Sequence, residues 1–180
     1  MTTSGQKIEI ALSKKKIFLM LLGALAFVAI GLYFVISPPT IANLYRGNPT
    51  KIAIAGYASI LFFGLCAFVL IKKLPDNKPG LIIDQTGLTD NSSGVSAGQI
   101  LWSDVEDISV LEIHRQKIIM LQVRNPQEYI DKQTSSFKRK MMQMNYKMYG
   151  TPLSITSNGL KVSFDELLST LTDKLKETQQ

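Results

Sequence analysis

Two stretches decide how this chain is read: Ile17–Ile36, IFLMLLGALAFVAIGLYFVI, and Ile52–Ile71, IAIAGYASILFFGLCAFVLI. Each is 20 residues long and holds no Asp, Glu, Lys, Arg or His. The hydrocarbon core of a bilayer, about 30 Å thick, takes roughly 20 helical residues to cross. A helix pairs its backbone polar groups within itself, as a lipid environment requires. The two stretches therefore predict a transmembrane hairpin over residues 17–71, with spans 17–36 and 52–71 and an outer loop 37–51.

Charge supports that reading and argues against nucleic acid. Met1 to Lys78 carries nine Lys and Arg against two acids, whereas Pro79 to Gln180 carries 11 against 12. The basic excess of the whole chain, +6, thus belongs to the flanks of the spans and not to the remainder. Lys7, Lys14, Lys15 and Lys16 precede the first span, Lys72, Lys73 and Lys78 follow the second, and the loop holds only Arg46 and Lys51. By the positive-inside rule both termini are cytoplasmic, in agreement with an even number of spans. Tyr33, Tyr45 and Tyr57 fall at the expected outer interface. The first span is read as an uncleaved anchor, because its apolar core exceeds that of a signal peptide and no small-x-small site ends it. Gly23 and Gly31 lie on one face of the first span, Gly56 and Gly64 on one face of the second. Small residues at this spacing either form a close-packed seam or are the ordinary glycines of membrane helices.

Residues 1–16 are expected to be a cytoplasmic tail, frayed or lying on the membrane as a short amphipathic piece, and residues 72–78 a linker, closed by Pro75 and Pro79. Residues 79–180 change character. Leu81–Ile83, Leu88–Thr89 and Gln99–Trp102 read as short strands separated by turns. Asp107–His114 and Lys117–Arg124 read as a hairpin around Arg115-Gln116. Pro126 opens a helix expected to run to Tyr149, with Ile130, Thr134, Phe137, Met141, Met144 and Met148 as its apolar seam. Leu153–Thr156 and Leu160–Val162 read as two further strands. Ser163 and Glu166 form a capping box ahead of a terminal helix whose stripe is Phe164, Leu167, Leu168, Leu171 and Leu175.

Antiparallel strands followed by a capped terminal helix resemble a pleckstrin-homology-like (PH-like) barrel. The segment Gln99-Ile100-Leu101-Trp102-Ser103-Asp104-Val105 is similar to the I-x-W-x-D-I pattern of bacterial PH-like domains. Leu153-Ser154-Ile155, with Val162-Ser163-Phe164-Asp165-Glu166-Leu167-Leu168, is similar to their strand-plus-final-helix ending. Two spans ahead of such a domain look like a group of small bacterial inner-membrane proteins. The resemblance implies an α+β membrane protein: a two-helix hairpin, then a small antiparallel PH-like barrel over residues 79–180 with an inserted helix and a C-terminal capping helix. It implies a place, the bacterial inner membrane, and no catalytic residues. Asp84–Gly98, matched to the loop that is basic in phosphoinositide-binding PH domains, has no Lys or Arg. This argues against headgroup binding of that kind.

No P-loop, dinucleotide fingerprint, zinc spacing or nucleophile elbow occurs. Cys66, the single cysteine, lies within the second span and is expected to pack there. His114 is the single histidine and sits at a hairpin turn. Asp104, Glu106 and Asp107 read as a solvated acidic turn. No cofactor or metal is expected, and the chain is read as non-enzymatic. The contact candidates are Phe137, Lys138, Arg139, Lys140, Met141, Met144, Lys147 and Met148. This basic, Met-rich segment is suited to the inner leaflet, to a protein partner or self-association, or to packing on the barrel. The expected role is a membrane-anchored adaptor that binds a protein partner or a lipid surface. The alternative is an immunity or stress-protection protein against an envelope-acting toxin.

Overall fold

The computed structural model describes residues 7–37 and 49–179. It divides into two units, one spanning Lys14–Asp76 and one joining the segment that ends at Ser13 to the segment that begins at Asn77. Pro38, Pro39, Tyr45 and Gly47 of the expected outer loop lie outside the described residues, as do residues 1–6 of the expected tail.

The first unit is a pair of helices, α1 (Lys14–Ile36) and α2 (Pro49–Lys73), of 23 and 25 residues. Each exceeds its apolar run by a few flanking residues and is about 35 Å long at 1.5 Å per residue. Both are long and apolar enough to cross a membrane. Only 17 % and 11 % of their apolar windows are buried, unlike the core helix of a soluble protein. Leu19, Leu61 and Ile36 are among the side chains facing outward.

The helices meet along their length. Near the ends that join the other unit, Lys14 Nζ donates to Leu74 O at 2.6 Å and also to Asp76 O. Lys73 pairs with Asp76 at 2.9 Å. Next, Leu21, Ala24 and Ala67 form a small core with Phe63, Cys66 and Leu70 against it. Phe27 stacks on Phe63 at 4.3 Å, and Ser59 Oγ donates to Phe27 O at 3.0 Å. Finally Gly31 and Gly56 bring the backbones together. A Cβ on Gly31 would lie 2.9 Å from Gly56 O, and one on Gly56 2.8 Å from Gly31 O. Gly23 and Gly64 have open space at the same position, so two of the four expected seam glycines make the seam.

The second unit begins before the hairpin. Ile8–Ile10, expected within a tail, is strand β1. It pairs antiparallel with β2 (Leu81–Ile83), Ile8 opposite Ile83 and Ile10 opposite Leu81. Ile10 and Leu12 turn inward while Lys7, Glu9 and Ala11 do not reach the core, the two-residue period of a half-buried strand. The chain then continues along Gly159–Lys161: Ser13 N donates to Gly159 O at 2.8 Å and Lys161 N to Ala11 O at 2.9 Å. The hairpin is therefore an insertion between two hydrogen-bonded strands. Accordingly Asp84–Gly98 does not connect the first strand to the second; the hairpin with its flanking lysines does.

The sheet β1-β2-β3-β4 is completed by β3 (Gly87–Asp90) and β4 (Gly98–Leu101). A 3₁₀ turn, Trp102–Asp104, leads to the second sheet, β5-β6-β7, made by β5 (Val105–Ile113), β6 (Gln116–Val123) and β7 (Leu153–Ile155). The sheets are not closed into a barrel. Leu160 makes a single bridge to Leu12 in place of the strand expected over Leu160–Val162. The β5–β6 turn is His114-Arg115, one residue earlier than expected. Both have positive φ, 48° and 65°, the left-handed geometry of a two-residue hairpin turn that normally takes Asn-Gly.

The helix expected over Pro126–Tyr149 is two helices, α3 (Pro126–Asp131) and α4 (Ser136–Tyr149). Ser135 is extended and its hydroxyl caps α4 by accepting from Lys138 N. A Thr-Ser pair offers the backbone this alternative to continuing a helix. The break is held from below by buried Gln133, whose Nε2 donates to Tyr129 O at 3.2 Å and Ala97 O at 3.4 Å. The terminal helix α5 (Phe164–Gln179) starts as expected, with Ser163 Oγ accepting from Glu166 N at 3.2 Å. Its stripe is buried at Leu167, Leu171 and Leu175, with Phe164 and Leu168 half-buried.

Candidate functional site

The break after α3 changes what α4 presents. At 3.6 residues per turn Phe137, Met141, Met144 and Met148 still share one face. That face does not pack on the sheets: Phe137, Met144 and Met148 are 55 %, 44 % and 58 % exposed, and Met141 is half-buried. The side held against the domain is Met142, 1 % exposed, with Lys138, Asn145 and Tyr149 half-buried around it. Ile130, expected in the same seam, belongs to α3 and is fully buried, and Thr134 is an exposed residue of the break. Met142 escaped the sequence reading because a continuous helix from Pro126 places the seam on a different set of residues.

The cations of α4 divide in two. Lys138 Nζ donates to Ser96 O at 3.4 Å, and Arg139 Nη2 to Gln133 O at 2.9 Å. These two tie the helix to its own domain. Lys140 and Lys147 are exposed, seven residues apart on one flank of the apolar face, and have no ion pair or hydrogen bond among the described residues. The helix contains no Asp or Glu. Gly150 ends it in the left-handed conformation, φ 78°, donating to Tyr146 O at 2.9 Å.

The acidic cluster is built differently. Asp104 accepts from Tyr129 Oη at 2.6 Å, and Tyr129 Oη accepts from Leu101 N at 3.4 Å. Glu106 turns to Arg124 at 3.6 Å. No three His, Cys, Asp or Glu side chains among the described residues gather closely enough to hold a metal ion. Nearby, Trp102 Nε1 donates to Asp84 O at 2.9 Å, while the Asp84 carboxylate accepts from Thr86 N, Thr86 Oγ1 and Gly87 N. Those hydrogen bonds, the Thr86 hydroxyl first, hold the Asp84 carboxyl below the usual carboxylate range. These residues fasten the strand ends and α3 together.

Burial, and then the bond to Asp104, push the Tyr129 hydroxyl up to about 12. A raised value in the fold stabilises it fully below the unfolded value of about 10, and that stabilisation is lost as pH rises through the folded value. Tyr129→Phe is expected to cost about 1–2 kcal/mol at neutral pH by removing the donor to Asp104 Oδ2. It should also flatten the fall in stability above about pH 10. Thermal unfolding of the two proteins in the same mild detergent, at neutral and alkaline pH, checks both.

Comparison with family models, with curated proteins and with solved structures finds no match to this chain.

Proposed function

We propose that the chain is a non-enzymatic membrane-anchored adaptor. Its hairpin sits in the inner membrane of a bacterium and its β-rich domain, PH-like in architecture, lies on the cytoplasmic side. There the exposed face of α4 binds its target. The observation that carries this reading is the insertion of two outward-apolar helices between β1 and β2. Strands that pair must lie on the same side of any membrane the hairpin crosses, so the helices enter and leave from one face. The lysines at both ends of the hairpin select the cytoplasmic face. Among the described residues, seven strands in a four-plus-three meander, followed by a terminal helix, support the PH-like architecture.

Cysteine mapping tests the anchor and its orientation. In a Cys66→Ala background, Ser37→Cys is expected to react with an impermeant maleimide added to intact spheroplasts. Ser103→Cys should react only after permeabilisation. The reverse pattern, or recovery of the protein in the soluble fraction, would sink the proposal.

A further inference from the structure

We infer that α4 is a peripheral docking helix whose apolar face, flanked by Lys140 and Lys147, lies on the anionic surface of the bilayer that holds the hairpin. This rests on the membrane placement proposed above. The domain leaves Phe137, Met144 and Met148 largely uncovered on a helix that is otherwise well fastened by Met142, Lys138 and Arg139. A rigidly held helix with one open apolar side is the geometry that places rings and thioethers at the boundary between headgroups and acyl chains.

Charge selects the occupant. Lys138 and Arg139 each donate to a carbonyl oxygen of the domain, and Arg139, although exposed, lies on the side of the helix opposite the apolar face. Lys140 and Lys147, also exposed, border the apolar face, where lysine stems can lie along apolar surface while the ammonium groups reach phosphate oxygens. With no acid in α4, nothing in the helix opposes an anionic surface. Each lysine adds only modest affinity for such a surface. The chain offsets this by connectivity: Ser13 directly precedes α1, and only Leu74-Pro75-Asp76 separates α2 from the domain. A surface tethered this closely meets the bilayer at high local concentration, so two lysines and one apolar face suffice.

The test uses the full chain, Cys66→Ala, with Met144→Cys carrying an environment-sensitive fluorophore, in nanodiscs of phosphatidylglycerol or of phosphatidylcholine. In phosphatidylglycerol the label should emit to the blue and be roughly threefold less quenched by acrylamide, as expected for a side chain at the acyl boundary. High salt, or Lys140→Glu with Lys147→Glu, should abolish most of that protection. A label at Lys176→Cys should stay quenchable throughout. Equal protection in phosphatidylcholine, or protection untouched by the double substitution, would overturn the anionic-surface inference. Protection that grows with copies per disc would overturn it in favour of a second chain. A quenchable label on protein that co-elutes with the discs would reject the docking and leave the anchor standing. Failure to co-elute would reject the anchor itself.

Discussion

A fragment that begins at Asn77 will be largely unfolded, and the same fragment preceded by residues 7–13 through a short Gly-Ser linker will fold. The reason is the position of β1. Ile10 and Leu12 are 9 % and 3 % exposed, and burying such a side chain is worth about 1.5–3 kcal/mol. The strand also receives hydrogen bonds from Gly80 N to Ile10 O and from Lys161 N to Ala11 O. Its removal uncovers Leu81, Ile83 and Leu160, which are otherwise fully buried. A loss of roughly 3–6 kcal/mol from the two side chains alone is comparable to the whole stability of a domain, about 5–15 kcal/mol. The measurement is a pair of amide NMR spectra with thermal melts. The linked form should give dispersed resonances and one cooperative transition, and the fragment alone should give neither. A folded Asn77 fragment with the same melting temperature would show that β1 is dispensable and would remove the structural basis for placing both flanks of the hairpin on one side.

That same strand marks the limit of what the sequence discloses. The two long apolar helices are legible because each is an uninterrupted apolar run of helix-spanning length. The terminal helix is legible because Ser163, Glu166 and the leucines at spacings of three and four agree with one another. Ile8, Glu9 and Ile10 alternate too, but three residues are too few to separate a strand from a tail. Their partner also lies beyond the hairpin, some seventy residues along the chain. On α4 the grouping of Phe137, Met141, Met144 and Met148 on one face was legible from spacing, since they stay together in any helix. What those residues face was not legible, because Ser135 restarts the helix and rotates Met142 to the domain. The hairpin turn slipped by one residue for a related reason. Neither His114 nor Arg115 announces a left-handed backbone as Asn-Gly would.

Substituting leucine for Gly31 or Gly56 should open the far part of the hairpin, whereas leucine at Gly23 or Gly64 should leave it intact. All four glycines look alike in sequence, so the contrast tests the geometry and not the composition. At Gly31 the first obstacle to a side chain is Gly56 O, and at Gly56 it is Gly31 O. A backbone carbonyl cannot rotate away, so the helices must separate, and overpacking of this kind costs about 1–3 kcal/mol. Close approach is also what lets dispersion hold two helices in lipid, where no hydrophobic force drives them together. Separation there would strain the neighbouring Ser59–Phe27 hydrogen bond and the Phe27–Phe63 stack. The lower contacts around Leu21, Ala24 and Ala67, and the Lys14 bonds to Leu74 and Asp76, lie about two to five turns further on and should persist. Titration from mild micelles into SDS, followed by helical circular dichroism and by mobility on a gel, gives a midpoint for each variant. Gly31→Leu and Gly56→Leu should lower it clearly, and the double variant should lower it by less than the sum, because either one alone already parts the same two backbones. Equal effects at all four glycines would mean that the seam reflects lipid-facing side-chain size and not helix contact.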